Sequence, residues 1–447
     1  MDSDLFQHLF ESIFKKTNDP IVLEKLKRVN INWKKPIDEI LETTDVWKSA
    51  CLNEIPSEPM TSMITRLFPM VHFENYHQLN DLILWRSLYI SYRKSMILSE
   101  LQPLIQVNYD FSELLSPHDY ILSFASCDKY SAVGSNNGTI YVFDINQLNE
   151  IVFTVNFNHL IQDIKFWYSD TGDLFLVAII SPHHIKFWNL VRMVEVPCIG
   201  NGFGSHICSG TINRLFIMNY GRLYEYKHTD NGITSYLTKC ISLDPASTIY
   251  LFSENNKIII AADDQQYAVT LYSLNYRFST SDNQRNYSVE NMWISYSNDK
   301  PYTGFYYSWP VFFFLTSNVI LRIMKERKTS LIYNDPQAGW KKFYPFENFG
   351  SENFVTSGIL HGKVFILGFE SGHVRIFTVE NIELLKESNL NLHSGIEYHV
   401  ADKSIQWLEL LETQEKLVII AITNHKVYSI NFFPSSTRIK KVTCDVL

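Results

Sequence analysis

Few residues in the 447-residue chain are arranged in a way that could support catalysis. The sequence contains no GxSxG nucleophile elbow, no HExxH metal motif, no P-loop and no dinucleotide-binding fingerprint. Gly200, Gly202 and Gly204 have the spacing of a phosphate-binding loop, but no helix is predicted after them to supply amide donors. We therefore interpret this segment as a connection between strands.

Two pairs of adjacent residues, His183-His184 and Asp263-Asp264, are of the types that bind metal ions. Both pairs fall in predicted turns or strands, where neighbouring side chains point apart. Neither pair alone forms a metal site. The sequence therefore predicts no catalytic residue, no metal site and no cofactor.

The cysteines and the charges indicate where the protein acts and what it binds. No CxxC pair occurs and the spacing is wide, which fits neither a zinc cluster nor a disulfide scaffold. The six cysteines are Cys51, Cys127, Cys198, Cys208, Cys240 and Cys444.

The net charge is −8 and the 39 Lys and Arg residues are scattered, which argues against nucleic-acid binding. With no secretory signal and no long apolar run, we expect a cytoplasmic or nuclear protein without a membrane span.

Apolar residues of the first hundred positions recur at helical spacing. Leu5, Leu9 and Ile13 lie on one predicted face, and Asp19 followed by Pro20 is typical of a helix start. We expect a helical module followed by linker helices.

From about residue 105 onward a weak repeat is visible, with a period of about 40 to 55 residues. Each unit has an apolar segment, a turn and an alternating segment, which indicates paired strands. The alternating segments are 137–145, 182–190, 220–228, 265–274, 317–326, 370–379 and 424–433. Such strands bury their surfaces by stacking as four-stranded units in a ring. The sequence therefore predicts a mainly β protein with an N-terminal helical module and a seven-bladed β-propeller over residues 105–447.

The order of residues in the helical region carries a family resemblance. The segment L-F-x-x-L-x-x-x-I-F is followed by Asp19-Pro20, then by L-x-x-L-x-x-V-x-x-x-W and V-W-K-x-x-C. This order resembles the F-box, although Phe6 stands where that family has a proline. The resemblance implies that residues 1–55 bind a Skp-family adaptor and, through it, a cullin, and that residues 56–104 are linker helices. The adaptor contacts that it implies are Leu5, Phe6, Leu9, Ile13, Phe14, Leu23, Leu26, Val29 and Trp33.

The first β unit, SNNGTIYVFDINQLNEIVFTV, resembles the WD-repeat propeller family. Phe143-Asp144 stands where that family has Trp-Asp, and Trp188-Asn189 is a second variant. The resemblance implies that Asp144 braces a turn by hydrogen bonding, which is a structural role.

Together the two resemblances imply a substrate-recognition subunit of an SCF-type E3 ubiquitin ligase, which performs no bond chemistry itself. The propeller would bind an unknown protein substrate. The alternative is a non-enzymatic propeller scaffold in another assembly, unrelated to ubiquitin.

Two long polar and aromatic segments, 275–308 and 333–350, are candidates for binding the substrate, because long loops on a rigid scaffold often carry function. The candidate contacts are Arg277, Arg285, Trp340, Lys341 and Lys342. The positive charge of Arg277, Arg285, Lys341 and Lys342 would favour an acidic or phosphorylated segment. Ordinary solvent-facing connections are the alternative reading.

Overall fold

The computed structural model describes most of the chain from residue 19 to residue 433. The described residues are 19–29, 31–68, 71, 76–98, 101–127, 129–210, 214–240, 248–254, 257–263, 268–276, 287–296, 311–316, 319–323, 329–335, 339–343, 354–379, 395–412 and 417–433.

The described N-terminal region is helical. Its α-helices are α1 (Pro20–Leu26), α2 (Ile31–Leu41), α3 (Thr44–Glu54), α4 (Ser57–Leu67) and α5 (Leu82–Ile97). Asp19 Oδ1 accepts a hydrogen bond from the Ile21 amide at 2.9 Å, and Pro20 occupies the first turn of α1. Asp81 caps α5 in the same way, through the amides of Ile83 and Leu84. The helix start expected at Asp19-Pro20 is therefore confirmed.

The helices pack around an apolar core of their own. The buried residues of this core are Leu23, Ile37, Leu41, Trp47, Ala50, Cys51, Ile55, Met60, Met63, Ile64, Leu84, Trp85, Leu88, Tyr89 and Tyr92. Polar atoms of its large aromatic side chains are satisfied internally: Trp47 Nε1 donates to the Leu41 carbonyl at 2.9 Å and the Tyr89 hydroxyl donates to Glu54 at 2.7 Å. Burial of each large side chain contributes about 1.5–3 kcal/mol, so this core fixes the positions of the helices.

The remaining described chain is mainly β, as the sequence predicts. In chain order the strands are β1 (Gln102–Asp110), β2 (Ile121–Ser126), β3 (Tyr130–Ser135), β4 (Thr139–Asp144), β5 (Gln147–Asn156), β6 (Ile161–Tyr168), β7 (Leu174–Ile180), β8 (His184–Asn189), β9 (Val194–Val196), β10 (Cys198–Ile199), β11 (His206–Gly210), β12 (Arg214–Asn219), β13 (Arg222–Thr229), β14 (Gly232–Cys240), β15 (Thr248–Glu254), β16 (Lys257–Asp263), β17 (Ala268–Tyr276), β18 (Tyr287–Tyr296), β19 (Val311–Thr316), β20 (Val319–Ile323), β21 (Thr329–Asp335), β22 (Gly339–Phe343), β23 (Val355–His361), β24 (Val364–Phe369), β25 (His373–Thr378), β26 (Ile396–His399), β27 (Trp407–Glu412), β28 (Leu417–Ile422) and β29 (Lys426–Phe433).

The described strands form seven sheets. The first six are built from consecutive strands, namely β2–β5, β6–β9, β11–β14, β15–β18, β19–β22 and β23–β26. All of these are antiparallel, except that the short β10 joins the edge of the third sheet parallel to β14. The last sheet has the order β1-β29-β28-β27, so the first strand of the β region pairs with the last.

Neighbouring sheets contact each other through their first strands. In each neighbouring pair among β2, β6, β11, β15, β19, β23 and β27 the two strands touch, and β27 also touches β2. Apolar side chains fill the space between sheets; Ala132 and Ile140 of the first sheet, for example, share a cluster with Ile164 and Leu176 of the second. Two of the second strands, β7 and β24, are buried at every residue.

One sequence-derived unit is displaced by a strand. In six units the predicted apolar and alternating segments are the second and third strands of a sheet, but the apolar segment VFFFLT is β19, the first strand of its sheet. The segment 317–326 accordingly contains β20, the second strand, and not the third. An apolar first strand cannot be told from an apolar second strand by pattern alone, because a short run of apolar residues looks the same in either position.

The helices pack on the turn between β23 and β24. Gly362 adopts φ +57° in this turn, and a Cβ atom there would lie 2.7 Å from Ser95 Oγ of α5. Arg66 Nη1 of α4 lies 3.5 Å from Nδ1 of His361 at the end of β23. The two helices therefore approach the sheets at the end of β23.

Candidate functional sites

The residues predicted to contact an adaptor differ in exposure. Leu23 is fully buried in the helical core, so it supports the helices and presents no surface to a partner. Leu26 and Trp33 are partly buried against the same core. Val29 is 71% exposed. Leu5, Phe6, Leu9, Ile13 and Phe14 lie outside the described residues.

The exposed apolar residues of α1, of the turn after it and of the start of α2 make up what we call the α1–α2 apolar surface. Its members are Val22, Val29 and Ile31, which are 39%, 71% and 84% exposed. Val22 and Ile31 are not among the residues that the F-box resemblance implies. The spacing of Val22 from Leu26 and Val29, four and seven residues, is the signal that could have placed Val22 on this side of α1.

An ion-pair network holds α1 against α2 beside this surface. Lys27 Nζ lies 2.7 Å from Glu24 and 2.7 Å from Asp38. Partial burial opposes the charged form of Lys27, but the hydrogen bonds to Asp38 and Glu24 outweigh it and raise the pKa of the ammonium group. The charged network links the end of α1 to α2.

The predicted substrate contacts are only partly placed. Arg277 and Arg285 lie outside the described residues. Trp340, Lys341 and Lys342 are consecutive residues of β22, the last strand of the fifth sheet, where Trp340 is opposite Asn334 and Lys341 opposite Tyr333. A site for an acidic segment therefore stays a prediction.

The WD-like positions have the structural role expected of them. Asp144 Oδ1 accepts a hydrogen bond from the amide of Asn146 at 2.8 Å at the end of β4. Asn189 Oδ1 accepts from the amides of Val191 and Arg192, both at 2.9 Å, at the corresponding end of β8. Each side chain braces the turn between the third and fourth strands of its sheet.

The other motifs of the sequence analysis are also structural. Gly202 and Gly204 pair with the start of β8, through the Ile185 amide and the His183 carbonyl, so their segment is a connection to β11. The His184 ring packs on Phe203 with centroids 4.6 Å apart. Within the described residues, no three His, Cys, Asp or Glu side chains are grouped as metal ligands.

A cavity of about 330 Å³ lies between α4 and the first strands of six sheets. The α4 helix contributes Ser62, Thr65 and Arg66, which share one helix face. Lys165 of β6 and Glu409 of β27 are the charged residues that the strands contribute. This cavity was not predicted, because its members are distant in sequence and each resembles an ordinary surface residue.

Burial shifts the pKa values of several titratable groups near the cavity towards the neutral forms. Burial raises the pKa of Asp163, whose Oδ2 accepts a hydrogen bond from the Ile207 amide at 3.4 Å. Burial also raises the pKa of the Cys208 thiol to about 12 and lowers the pKa of His206 to about 4. Among the described residues that line the cavity, Arg66, Lys165 and Glu409 are the charged side chains.

A Ser–His–Glu cluster joins the helices to the sheets. Ser91 Oγ lies 3.0 Å from His361 Nε2 and donates a hydrogen bond to Glu412. In a hydrolytic triad the serine and the carboxylate contact opposite ring nitrogens of the histidine. Here Ser91 is next to Nε2 of His361, but the opposite nitrogen, Nδ1, faces Arg66. Ser91 is also fully buried, so the cluster is a structural junction.

Comparisons with known proteins do not assign the chain to a family. No protein-family model matches the chain, and the comparison with curated proteins finds no significant match. In the described parts of the chain, every helix is too short or too polar to cross a membrane.

Proposed function

We propose that this protein is the substrate-recognition subunit of a Skp–cullin–F-box E3 ubiquitin ligase. The α1–α2 apolar surface carries the proposal: Val22, Val29 and Ile31 are exposed within the segment whose residue order resembles the F-box. An adaptor that covered this surface would remove apolar area from water, which drives association. A ligase of this type acts in the cytoplasm or nucleus.

The second part of the proposal is that the seven sheets form a closed seven-bladed propeller. Two observations support it: β1 and β29 lie in one sheet, and the first strands touch in an order that returns from β27 to β2. A ring of this kind presents broad faces on which a protein substrate can bind. The receptor would raise the effective concentration of a substrate lysine near the ubiquitin-loaded enzyme and perform no bond chemistry.

The adaptor claim is tested by substituting exposed residues, so that the helical core stays intact. We expect Val29→Asp and Ile31→Asp, together, to reduce co-purification of a Skp-family adaptor and a cullin with the full chain at least tenfold. Loss of buried apolar anchors costs on the order of 2 kcal/mol or more.

Ile83→Asp on α5 is the matched control, because Ile83 and Val29 are both 71% exposed. The control should retain the adaptor. If the α1–α2 variant retains the adaptor as well, the ligase proposal is wrong. If that variant instead loses a partner unrelated to ubiquitin, the scaffold function is correct.

A further inference from the structure

The cavity between α4 and the sheets has the size and polarity of a small-molecule site. Its volume of about 330 Å³ lies at the lower end of ligand pockets, which span roughly 300–1,000 Å³. Hydroxyl and charged side chains from α4 face lysine and glutamate from two strands, and the remaining wall includes aromatic and aliphatic residues. Polar and charged side chains therefore make up nearly half of the described wall, which suits a polar, charged ligand.

Two cations of the cavity wall form no salt bridge within 4 Å with any described residue. Lys165 acts electrostatically on Asp163, two residues away on β6, without a hydrogen bond between the two side chains. Arg66 acts in the same way on Glu412 and makes one long contact, 3.5 Å from Nη1 to His361 Nδ1, although a guanidinium carries five N–H donors. Both side chains are half-buried and keep donor capacity, so both would gain from a bound anion.

The acidic residues of the wall do not outnumber these cations among the described residues. Of those residues Glu409 is the one carboxylate, and its Oε1 accepts a 3.3 Å hydrogen bond from the Leu410 amide. Asp163 lies on the same strand as Lys165, and burial raises the pKa of its carboxyl. The described residues of the wall therefore carry two positive groups and one negative group.

The hydroxyl groups complete the site. Thr65 Oγ1 is buried and has no hydrogen-bond partner among the described residues. Ser62 and Ser126 line the same space. Such groups bond oxygen atoms of an anion or of an attached polyol, and Glu409 can accept a hydrogen bond from a ligand hydroxyl.

We infer that this cavity binds a small organic anion with a phosphate or carboxylate group held between Arg66 and Lys165. Because Arg66 belongs to α4 and Lys165 to β6, the anion bridges the helices and the sheets. The bound state should therefore be more stable to unfolding than the free protein, in proportion to ligand concentration. This inference is independent of the ligase proposal.

The experiment uses the purified full chain with pyrophosphate and citrate as the phosphate and carboxylate probes. We expect at least one probe to bind in titration calorimetry at constant ionic strength and to raise the melting temperature in a concentration-dependent way. Arg66→Gln and Lys165→Gln should each weaken binding by about ten- to a hundredfold, the usual value of a charge-assisted hydrogen bond. Lys403→Gln, at an exposed lysine outside the cavity wall, should leave binding unchanged.

Glu409→Gln tests whether the cavity binds an anion or a cation. Removal of the carboxylate should leave anion binding unchanged or strengthen it, whereas a cation site would be weakened. Melting of each variant without probe shows that it is folded. The inference is overturned if neither probe binds, if both cation variants bind as the wild type does, or if Glu409→Gln abolishes binding.

Discussion

The buried histidines make the folded state sensitive to acid. Burial lowers the pKa of His206 to about 4 and that of His361 well below its usual value of 6.5. As the pH falls through 6.5, the unfolded chain takes up protons at both residues while the folded chain does not. The unfolded state then binds more protons, so the free energy of unfolding decreases as the pH falls below 6.5.

We predict that His361→Gln reduces this acid sensitivity. Below pH 6.5, each histidine lowers the free energy of unfolding by up to about 1.4 kcal/mol per pH unit. For His206 this decrease continues to about pH 4. Urea unfolding measures the free energy of unfolding at pH 6.5 and at pH 5.5. Its decrease between the two pH values should be smaller in the variant by roughly 1 kcal/mol.

The control for this prediction is His159→Gln, at an exposed histidine. Glu412 acts in the opposite direction, since burial raises the pKa of its carboxyl and stability is gained as the pH falls through that raised value. Glu412 Oε2 lies 3.6 Å from His361 Nε2, so the difference between the two proteins reports on the His361–Glu412 pair. An unchanged acid-dependent loss in His361→Gln would contradict the assignment.

The sequence pattern predicts a turn before each alternating segment, but the tolerance of a turn glycine to substitution depends on contacts that the sequence does not contain. Gly372 and Gly172 adopt nearly the same left-handed backbone, with φ +80° and +81°. A Cβ at Gly372 would collide with the Ala401 carbonyl, whereas nothing lies within 4 Å of a Cβ at Gly172.

We predict that Gly372→Ala destabilises the protein far more than Gly172→Ala. The left-handed conformation alone costs an alanine about 1 kcal/mol, which is the expected effect at Gly172. The backbone collision at Gly372 should bring the total to about 3 kcal/mol or more. Chemical denaturation of the two variants measures both values, and equal losses would show that the turn at Gly372 has room to move.

Individual elements were predictable where local chemistry decides them. Asp19 before Pro20 marks the start of α1, and Asp144 braces its turn as the WD-like pattern implies. In the fifth β unit the predicted strand assignment was one strand off, because the apolar residues of β19 follow the same pattern as a second strand. The burial of Leu23 was missed for a related reason: an F-box pattern does not distinguish core positions from contact positions.

The charged cavity depends on the whole molecule, which explains why the sequence did not reveal it. Arg66, Lys165 and Glu409 come from a helix and two different sheets. In the sequence each of them resembles a solvated charge, since nothing local shows that α4 lies across the first strands. Only the tertiary arrangement makes these residues neighbours.

The pairing of β1 with β29 joins strands from the two ends of the β region. A designed disulfide tests this pairing. Leu104 lies directly opposite Asn431, and Leu104 is 45% exposed. Opposed residues of antiparallel strands have Cα atoms about 4.5–5.5 Å apart, within the range that a disulfide spans. Leu104→Cys with Asn431→Cys should therefore form a crosslink on mild oxidation. The crosslink should raise the free energy of unfolding by about 2–4 kcal/mol relative to the reduced protein.

Leu104→Cys with Phe433→Cys is the control for register, because Phe433 lies opposite Gln102 and is diagonal to Leu104. Diagonal positions are about 7–8 Å apart, too far for an unstrained disulfide. Mobility on a non-reducing gel distinguishes the two results. Equal crosslinking of both pairs would mean that β1 moves along β29, and absence of the first crosslink would mean that the two strands are not paired in this register. Because these strands join the beginning and the end of the β region, absence of both crosslinks would also remove the main support for a closed propeller.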